Sequence, residues 1–460
     1  MRKFATWIRL GLAFLLLLPS GMVAYLRAAQ AATTEVISPK GLRIWLIEDH
    51  RTPVFTLGFR FAGGSSQDPL GKEGLAHITA EMFFQGGGKL GAEDYVQSWN
   101  QLGAEINVET RLESMRGTVK VVRQDRERAM ELLRLAVNEP RFDMASLEQV
   151  SSQVASELDR EADDPEATAY RAYDSLAFGA HPRARPVAGS QVSITAIQAT
   201  DIAAFRRTVM VRDGLNLSAV GDITPAELGP LADQIFSSLP AHGQRAQIAA
   251  PAVTTSARRD LPLTSEQAQV AFGLALPDLT ARECLAAELI NYTLGGSAFT
   301  SRLYHQVREK RGLAYSIGTT FDRYSFMSEL SGSFGSAPGT VEEAIGLVRQ
   351  EFAGLAEHPP SDAEIAEAKV ALAGQYLRGL VRQTDTANEL TLRMSEGAMP
   401  GFLEGYAQRF TEISPDEVRA LARRIPWASR LVIATVGAPM VAADQGGGRS
   451  RLHTPPANGP

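Results

Sequence analysis

Cysteine is almost absent from the chain, because Cys284 is the only one among 460 residues. A single thiol cannot form an internal disulfide, and nothing around it indicates a reactive thiol. The surrounding segment, TARECLAAELINYTLGG, is apolar and typical of a helix. We therefore interpret Cys284 as a core residue.

An excess of positive charge is also missing, since the formal net charge is −6. Residues 1–31 contain four Arg/Lys and no acid, so the rest of the chain carries about −10 by the same count. Acidic proteins bind the phosphate backbone of nucleic acids poorly. DNA and RNA are therefore excluded as expected partners.

The N-terminus has the pattern of a secretory signal. The basic segment MRKFATWIR precedes an apolar run from Leu10 to Leu18, and small residues end in Ala29-Gln30-Ala31. This pattern predicts a signal peptide over residues 1–31 and a periplasmic or secreted protein. An uncleaved membrane anchor stays open, because the uncharged stretch continues to Leu26. Contact with a membrane is expected only in that case.

Two segments far apart in the chain resemble each other. VFTLGFRFAGGSS begins at Val54 and QVAFGLALP at Gln269, and each is followed by a helical segment that ends in glycines. Gly58 and Gly273 are 215 positions apart, and Gly221 and Gly437 are 216 apart. This self-similarity predicts two copies of one domain.

Composition sets the expected boundaries of these copies. The stretch between them is rich in Ala, Pro, Ser and Thr and lacks periodicity, which is typical of a linker. The predicted segments are a signal peptide (1–31), a first domain (32–240), a linker (241–265), a second domain (266–444) and a disordered tail (445–460). Hairpin-like strands between helices favour an α+β fold, in which each domain is a mostly antiparallel sheet with helices packed on one face.

Three residues in the first domain could hold a metal ion. His77 and Glu81 are four positions apart, so they share one face of a helix, as two metal ligands must. A third ligand would come from the acidic segment after Val150, where Glu157 is one of several candidates. The alternative is that His77 and Glu81 form part of a solvated helix face.

The second domain contains the most specific stretch, GGSAFTSRLYHQVREKRGLAYSIGTTF. A helix that carries Arg308 ends near Gly312, and a strand follows, so Arg308 and Tyr315 can face one cleft. Taken alone, they would be an exposed basic helix end and a half-buried strand tyrosine. Gly295 and Gly296 would let the backbone approach an extended peptide, or would simply end a helix.

These motifs resemble the pitrilysin/insulinase family of inverzincin metallopeptidases, in its bacterial two-domain form. The resemblance runs from LIEDHRTPVFTLGFRFAGG to VIATVG. Family members carry His-x-x-Glu-His, in which two histidines bind zinc and the glutamate activates water. Here His77 matches the first histidine, Ala80 stands where the catalytic glutamate belongs, and Glu81 stands where the second histidine belongs. Glu157 lies 76 residues after Glu81, at a spacing similar to that of the third zinc ligand.

The resemblance also gives roles to residues of the second domain. In the family an arginine and a tyrosine seven residues later reach the bound peptide and the reacting carbonyl at an opposing zinc site, and Arg308 and Tyr315 match them. Gly295 and Gly296 belong to the same element. The segment AHPRARPVAGS departs from the family, which has tyrosine where Arg183 stands, and we interpret His181 as structural.

Three functions are compatible with this pattern. In each case the two halves of the chain are expected to close like a clamshell around a chamber. The first is a non-catalytic subunit that supplies Arg308 and Tyr315 to a composite site, at which a catalytic partner of the same family cleaves short or unfolded peptides. The second is a weak zinc peptidase that uses His77, Glu81 and Glu157. The third is a peptide-binding or scaffold protein. Since a general base contributes about 10²–10⁴ in rate, Ala80 favours the first, with zinc not bound by this chain alone.

Overall fold

The computed structural model describes residues 32–252, 254–262 and 266–437. The predicted signal peptide (1–31) and tail (445–460) lie outside these residues. In the described part of the chain, no helix combines the length and the apolar character needed to cross a membrane.

The described strands form two sheets. Their bounds are β1 Thr34–Ile37, β2 Arg43–Glu48, β3 Val54–Ala62, β4 Glu105–Thr110, β5 Ser114–Val122, β6 Leu215–Gly221, β7 Ala257–Leu261, β8 Ala268–Leu276, β9 Ala314–Arg323, β10 Ser328–Ser336 and β11 Val432–Val436. The first sheet has the order β1-β2-β6-β3-β5-β4, and the second has the order β7-β11-β8-β10-β9. Only the β2–β6 and β7–β11 pairs are parallel. The prediction of two similar, mostly antiparallel α+β halves is confirmed.

Helices cover the sheets. Their bounds are α1 Leu75–Glu81, α2 Ala92–Leu102, α3 Arg126–Asn138, α4 Met144–Ala162, α5 Pro165–Phe178, α6 Gln191–Thr195, α7 Ala199–Val209, α8 Pro225–Phe236, α9 Ala281–Asn291, α10 Val341–Glu357, α11 Asp362–Gly379, α12 Gln383–Ser395, α13 Phe402–Glu412, α14 Pro415–Arg424 and α15 Trp427–Arg430. Several begin at a capping box. In α14, for example, Ser414 accepts from Glu417 N–H and the Glu417 carboxylate accepts from Ser414 N–H.

The predicted linker is shorter in the structure than in the sequence analysis. Residues 257–261, which we placed in the linker, form β7 and pair with β11 at the edge of the second sheet. The strand was missed because its sequence, ARRDL, is mostly polar and has no buried residue. β7 occupies the same place beside β11 that β2 occupies beside β6.

The two faces of each sheet are covered by different parts of the chain. Alternate side chains of β3, such as Leu57 and Phe59, enter the core formed with the helices of the first half. The opposite face of β3 contacts α12, which belongs to the second half. Conversely, α5 of the first half packs on β8 and β11 of the second. The halves have therefore exchanged one helix each, an arrangement that the sequence analysis did not foresee.

The repeated glycines lie beneath these exchanged helices. A Cβ atom on Gly58 would lie 2.5 Å from Ser218 Oγ and 3.1 Å from Ala387 Cβ of α12. A Cβ atom on Gly273 would lie 2.6 Å from the hydroxyl of Tyr173 on α5. The distances of 2.5 and 2.6 Å are too short for a side chain, and 3.1 Å is tighter than most contacts of a Cβ atom, so glycine at these two positions lets each exchanged helix lie close to the opposite sheet.

A buried ionic cluster joins the two halves beneath α5. We call it the interhalf cluster, and it consists of Tyr173, Asp174, Arg183 and Glu329. Arg183 Nε lies 3.0 Å from Glu329 Oε2, and Arg183 Nη1 lies 2.9 Å from Asp174 Oδ1. The Tyr173 hydroxyl donates to Glu329 Oε1 at 2.9 Å. Glu329 is 0% exposed, whereas the side chains of Arg183 and Asp174 are 17% and 24% exposed, so one guanidinium serves two carboxylates at the margin of the core.

The interhalf cluster is expected to make the folded chain less stable as pH rises. Burial raises the pKa of Glu329 to about 7, against the opposing charge of Arg183, and burial also raises the pKa of Asp174. Glu329 therefore holds its proton more tightly in the folded chain than in the unfolded chain. Its contribution to the free energy of unfolding is full at acidic pH and is lost as pH rises through about 7. We expect the thermal midpoint to drop between about pH 5 and pH 8. The control is Glu329→Gln, which cannot titrate, and an unchanged slope in that variant would contradict the assignment.

Candidate functional site

The helix that carries His77 is fixed at its start by a side chain that the sequence analysis missed. Asp68 accepts hydrogen bonds from the N–H groups of Gly74 and Ala76, both at 2.9 Å. These bonds satisfy N–H groups at the start of α1, which would otherwise lack partners. Asp68 is buried, and burial raises its pKa to about 7. An aspartate seven residues before the helix gives no ordinary capping signal, so only the fold reveals it.

His77 and Glu81 share the less buried face of α1, as their spacing predicted. Both are half-buried, whereas Ile78 and Ala80 are 0% exposed. Glu157 projects from α4, where its carboxylate accepts from Gln153 Nε2 at 3.3 Å. Burial raises the pKa of Glu81, the positive charge of His77 lowers it, and the negative charge of Glu157 raises it. The three side chains therefore lie within electrostatic range of one another.

Side chains that lie within electrostatic range of one another do not by themselves form a metal site. Within residues 32–252, 254–262 and 266–437, no three His, Cys, Asp or Glu side chains are arranged to hold a metal ion. One imidazole with two carboxylates is also a harder and weaker zinc shell than two imidazoles with one carboxylate. The assignment of His77, Glu81 and Glu157 as ligands stays a prediction.

The position of the general base is occupied by a core methyl group. Ala80 belongs to the apolar core of the first half and is 0% exposed. A methyl group cannot accept a proton from water, and Glu81 is displaced by one residue, about 100° around the helix. The motif of this chain therefore has no carboxylate at the position from which the family's glutamate acts.

Arg308 and Tyr315 meet on the surface of the second half. Arg308 lies on a π-helical segment, Tyr304–Glu309, and Gly312 turns the chain into β9 with a φ of +63°. The guanidinium carbon of Arg308 lies 5.1 Å from the centre of the Tyr315 ring, and Tyr315 is 80% exposed. Two residues that the sequence separates by seven positions thus form one contact pair.

Tyr304 completes this arrangement and was missed by the sequence analysis. Its ring lies on the other flank of Arg308, also 5.1 Å from the guanidinium carbon. The signal was present, because residues four apart on a helix are neighbours. Among the described residues, no carboxylate forms an ion pair with Arg308. The cation is held by two aromatic rings while its N–H donors stay free for a ligand.

Gly295 and Gly296 have a packing role in the structure. They end a π-helical turn, Tyr292–Gly296. A Cβ atom on Gly295 would lie 2.6 Å from Thr319 Oγ1 of β9, and one on Gly296 would lie 2.7 Å from Asn291 Nδ2. Glycine therefore allows the turn to lie against the strand that carries Tyr315. A direct contact of these glycines with peptide stays a prediction.

Two residues with reactive side chains have structural environments. Both ring nitrogens of His181 are engaged, since Nε2 lies 2.9 Å from the Ala249 carbonyl and Nδ1 accepts from Arg183 N–H at 3.0 Å. Cys284 is 4% exposed within the core of the second half. These surroundings agree with the interpretations of His181 as structural and of Cys284 as core.

Two family models match successive parts of the chain. Residues 43–191 match the insulinase family, peptidase family M16, and residues 196–372 match the peptidase M16 inactive domain. Among curated proteins, the chain is 26% identical over 407 residues to an uncharacterized zinc protease of Mycobacterium leprae, covering 86% of this chain and 90% of that protein. It is 25% identical over 366 residues to the non-peptidase homolog YmxG of Helicobacter pylori, covering 78% and 83%.

Solved structures share the fold. The peptidase M16 inactive domain from Pseudomonas fluorescens matches with a TM-score of 0.83 and 24% identity, over 88% of this chain and 98% of that one. A protease from Helicobacter pylori matches with a TM-score of 0.79 and 17% identity, over 89% and 100%. These structures share the fold, and the two successive family models over residues 43–191 and 196–372 show that the chain belongs to the insulinase family as a two-domain member.

Proposed function

We propose that this chain is the non-catalytic subunit of a secreted or periplasmic zinc metallopeptidase. In this proposal it supplies Arg308 and Tyr315 to an active site whose zinc and general base belong to a partner subunit of the same family. The observation that carries the proposal is the contrast between the halves. Ala80 occupies the place of the base in the first half, whereas half-buried Arg308 and exposed Tyr315 are in contact in the second.

Each residue has a role that follows from its donors. The guanidinium of Arg308 carries five N–H donors and can bind peptide carbonyl groups near the scissile bond. The phenol of Tyr315 can donate a hydrogen bond to the oxygen that becomes negative when water attacks the carbonyl. The partner's zinc would polarise that carbonyl and acidify the attacking water. Tyr304 holds the Arg308 side chain in place between catalytic turnovers through a cation–π contact.

The position of Tyr315 indicates how a substrate would lie. Tyr315 is near the start of β9, which is an edge strand of the second sheet. An extended peptide can add to such an edge through main-chain hydrogen bonds, which favours short or unfolded substrates over folded proteins. We therefore expect short or unfolded peptides as substrates. The relative in Helicobacter that is named a non-peptidase homolog supports a role without hydrolysis by the chain alone.

The test is cleavage of a quenched fluorescent peptide mixture with zinc present. We expect no cleavage by the purified chain alone, because Ala80 cannot act as a base, and chelator-sensitive cleavage when a family subunit with an intact His-x-x-Glu-His motif from the same organism is added. A gain of about 10²-fold or more over the partner alone is expected, the size of one missing catalytic contribution.

The same assay distinguishes the two other functions. Chelator-sensitive cleavage by the chain alone would replace the proposal with a weak peptidase that uses His77, Glu81 and Glu157. Peptide binding without any gain in cleavage, with every intact-motif subunit of the organism, would favour a binding or scaffold protein. The catalytic partner alone is the control in each case.

A further inference from the structure

A cavity lies between the two halves, beside β2 and β6 of the first sheet. Its volume is about 140 Å³, and its apolar walls include Ile47 of β2, Val220 of β6 and Leu403 near the start of α13. A cavity of about 150 Å³ can hold a molecule of the size of benzene. The space therefore suits a group about as large as one amino-acid side chain, held between the first half and the second.

One carboxylate at this cavity lacks a cation. The charged residues that line the cavity are Asp49, Arg51 and Glu404. Asp49 and Arg51 pair with each other, with 2.7 Å between Oδ2 and Nη2. In the part of the chain that the structure describes, no Lys, Arg or His forms an ion pair with Glu404. The cavity therefore has an excess of negative charge at Glu404, which favours a positively charged occupant.

The start of the first half reaches this carboxylate. The main-chain N–H of Thr33 donates to Glu404 Oε1 at 2.6 Å, across 371 positions of the chain. Thr33 also lines the cavity and is 8% exposed, and its hydroxyl has no hydrogen-bond partner among the described residues. Buried hydroxyl groups are normally hydrogen-bonded. A polar occupant would therefore meet a carboxylate without a counter-ion and a hydroxyl without a partner.

The residue before Thr33 is Ala32, which is exposed. Because successive main-chain nitrogens are no more than about 4 Å apart, the nitrogen of Ala32 lies within about 7 Å of Glu404 Oε1. Ala32 also follows Ala29-Gln30-Ala31, the end of the predicted signal peptide. In the uncleaved chain this nitrogen is an uncharged amide. Hydrolysis of the bond between Ala31 and Ala32 consumes one water molecule and leaves a carboxylate on residue 31 and an ammonium group on residue 32.

We infer that the cavity beside Glu404 binds the ammonium group of Ala32 once the signal peptide has been removed. This group supplies the cation that Glu404 lacks, and its methyl side chain is small enough for the cavity. Since Ala32 precedes β1 of the first half and Glu404 belongs to α13 of the second, the ion pair joins the halves only in the processed chain. The inference rests on the secretory part of the proposed function and is independent of the composite site.

The amino end of this chain is favoured over that of a separate peptide, which has the same chemistry. Ala32 is attached to Thr33, which already contacts Glu404, so the effective concentration of its ammonium group at the cavity is high. A separate peptide would lose translational and rotational freedom on binding. It is the competing occupant that the test must distinguish.

The test begins with the mass of the secreted chain, which should start at Ala32. An acylating reagent then modifies the α-amino group at about pH 7.5, near the ordinary pKa of such groups, and peptide mass spectrometry follows the rate. The reagent attacks only the uncharged amine, and a neighbouring carboxylate favours the charged form. We expect the wild-type chain to react at least about 3-fold more slowly than Glu404→Gln, as expected for an ion pair near the protein surface.

Two controls separate the effect of this carboxylate from general effects. Glu412→Gln removes an exposed carboxylate from the same helix, outside the cavity, and should react as slowly as wild type. A Gly-Ser extension before Ala32 moves the ammonium group away from the cavity, so its rate should no longer depend on Glu404. Equal rates in the wild-type chain and Glu404→Gln, without the extension, would overturn the inference.

Activation of the catalytic partner, measured on the same chains, shows which idea fails. Equal acylation rates in a wild-type chain that activates the partner overturn this inference alone. Slow acylation that depends on Glu404, in a chain that activates no intact-motif subunit, supports this inference and overturns the composite site. A secreted chain that keeps residues 1–31 overturns the inference. Saturable binding of alanine amide to a chain with an acetylated amino end, lost in Glu404→Gln, would assign the cavity to a separate peptide and overturn the assignment to Ala32.

Discussion

Replacement of Arg308 by alanine is expected to lower kcat/KM of the mixed assembly by about 10²–10³. This is the effect of removing one hydrogen-bond donor that stabilises the transition state. The large effect follows from the environment of the guanidinium. Arg308 is flanked by two aromatic rings, each 5.1 Å from its guanidinium carbon, so its donors are positioned before a substrate arrives. Little reorganisation is then needed during the reaction.

Two conservative variants show which property of the pair matters. Arg308→Lys retains the charge but loses the planar fork, so we expect an activity between those of wild type and Arg308→Ala. Tyr315→Phe retains the ring beside Arg308 and removes the O–H donor, so kcat should fall while the thermal midpoint is unchanged. Steady-state kinetics of the assembly measure both. Full activity in Arg308→Ala and Tyr315→Phe would exclude a composite site.

The second large effect is expected at the interhalf cluster. Arg183→Ala should lower the free energy of unfolding by about 3–5 kcal/mol near neutral pH, as removal of one partner from a buried pair does. Arg183 is the cation between Glu329 and Asp174, and it also contacts the ring of Phe178 at 5.0 Å. Its loss leaves two carboxylates facing each other with little access to water.

Protonation supplies the control for this variant. At about pH 5 the two carboxylates can take up protons in the folded state, so the loss caused by Arg183→Ala should be smaller there than at about pH 8. The double variant Arg183→Ala, Glu329→Gln should recover part of the loss, because no charge is then buried at position 329. Denaturant unfolding at the two pH values measures the difference. Equal stability of Arg183→Ala and wild type at pH 8 would show that the cluster does not hold the halves together.

Local patterns predicted much of this molecule, and the exchange of helices between the halves is the main feature that they did not predict. The nearly equal spacings of Gly58–Gly273 (215 positions) and Gly221–Gly437 (216 positions) predicted the two similar halves. The exchange of α5 and α12 was not predicted, since an amphipathic helix shows that it has a buried face but not which sheet will cover it. Long-range contacts of this kind leave no local signal.

The candidate site follows the same division. Helical spacing predicted the shared face of His77 and Glu81, and the motif GGSAFTSRLYHQVREKRGLAY predicted that Arg308 and Tyr315 can face one cleft. Whether Glu157 joins them in a metal shell depends on how α1 and α4 are placed relative to each other, which spacing along the chain does not determine. Tyr304 lies four residues before Arg308, a spacing at which helical side chains are neighbours, so its contact with Arg308 could have been predicted.

The exchanged helices indicate how the two-domain chain could have arisen. If each half once existed as a separate chain, the same contacts would have made a symmetric, domain-swapped homodimer, in which one helix of each subunit packed on the sheet of the other. Fusion through the segment before β7 would then have turned that dimerisation into an intramolecular event, independent of concentration. Once the copies were joined, their identical surfaces were free to diverge. One copy could then lose its chemistry without the same change appearing in the other copy.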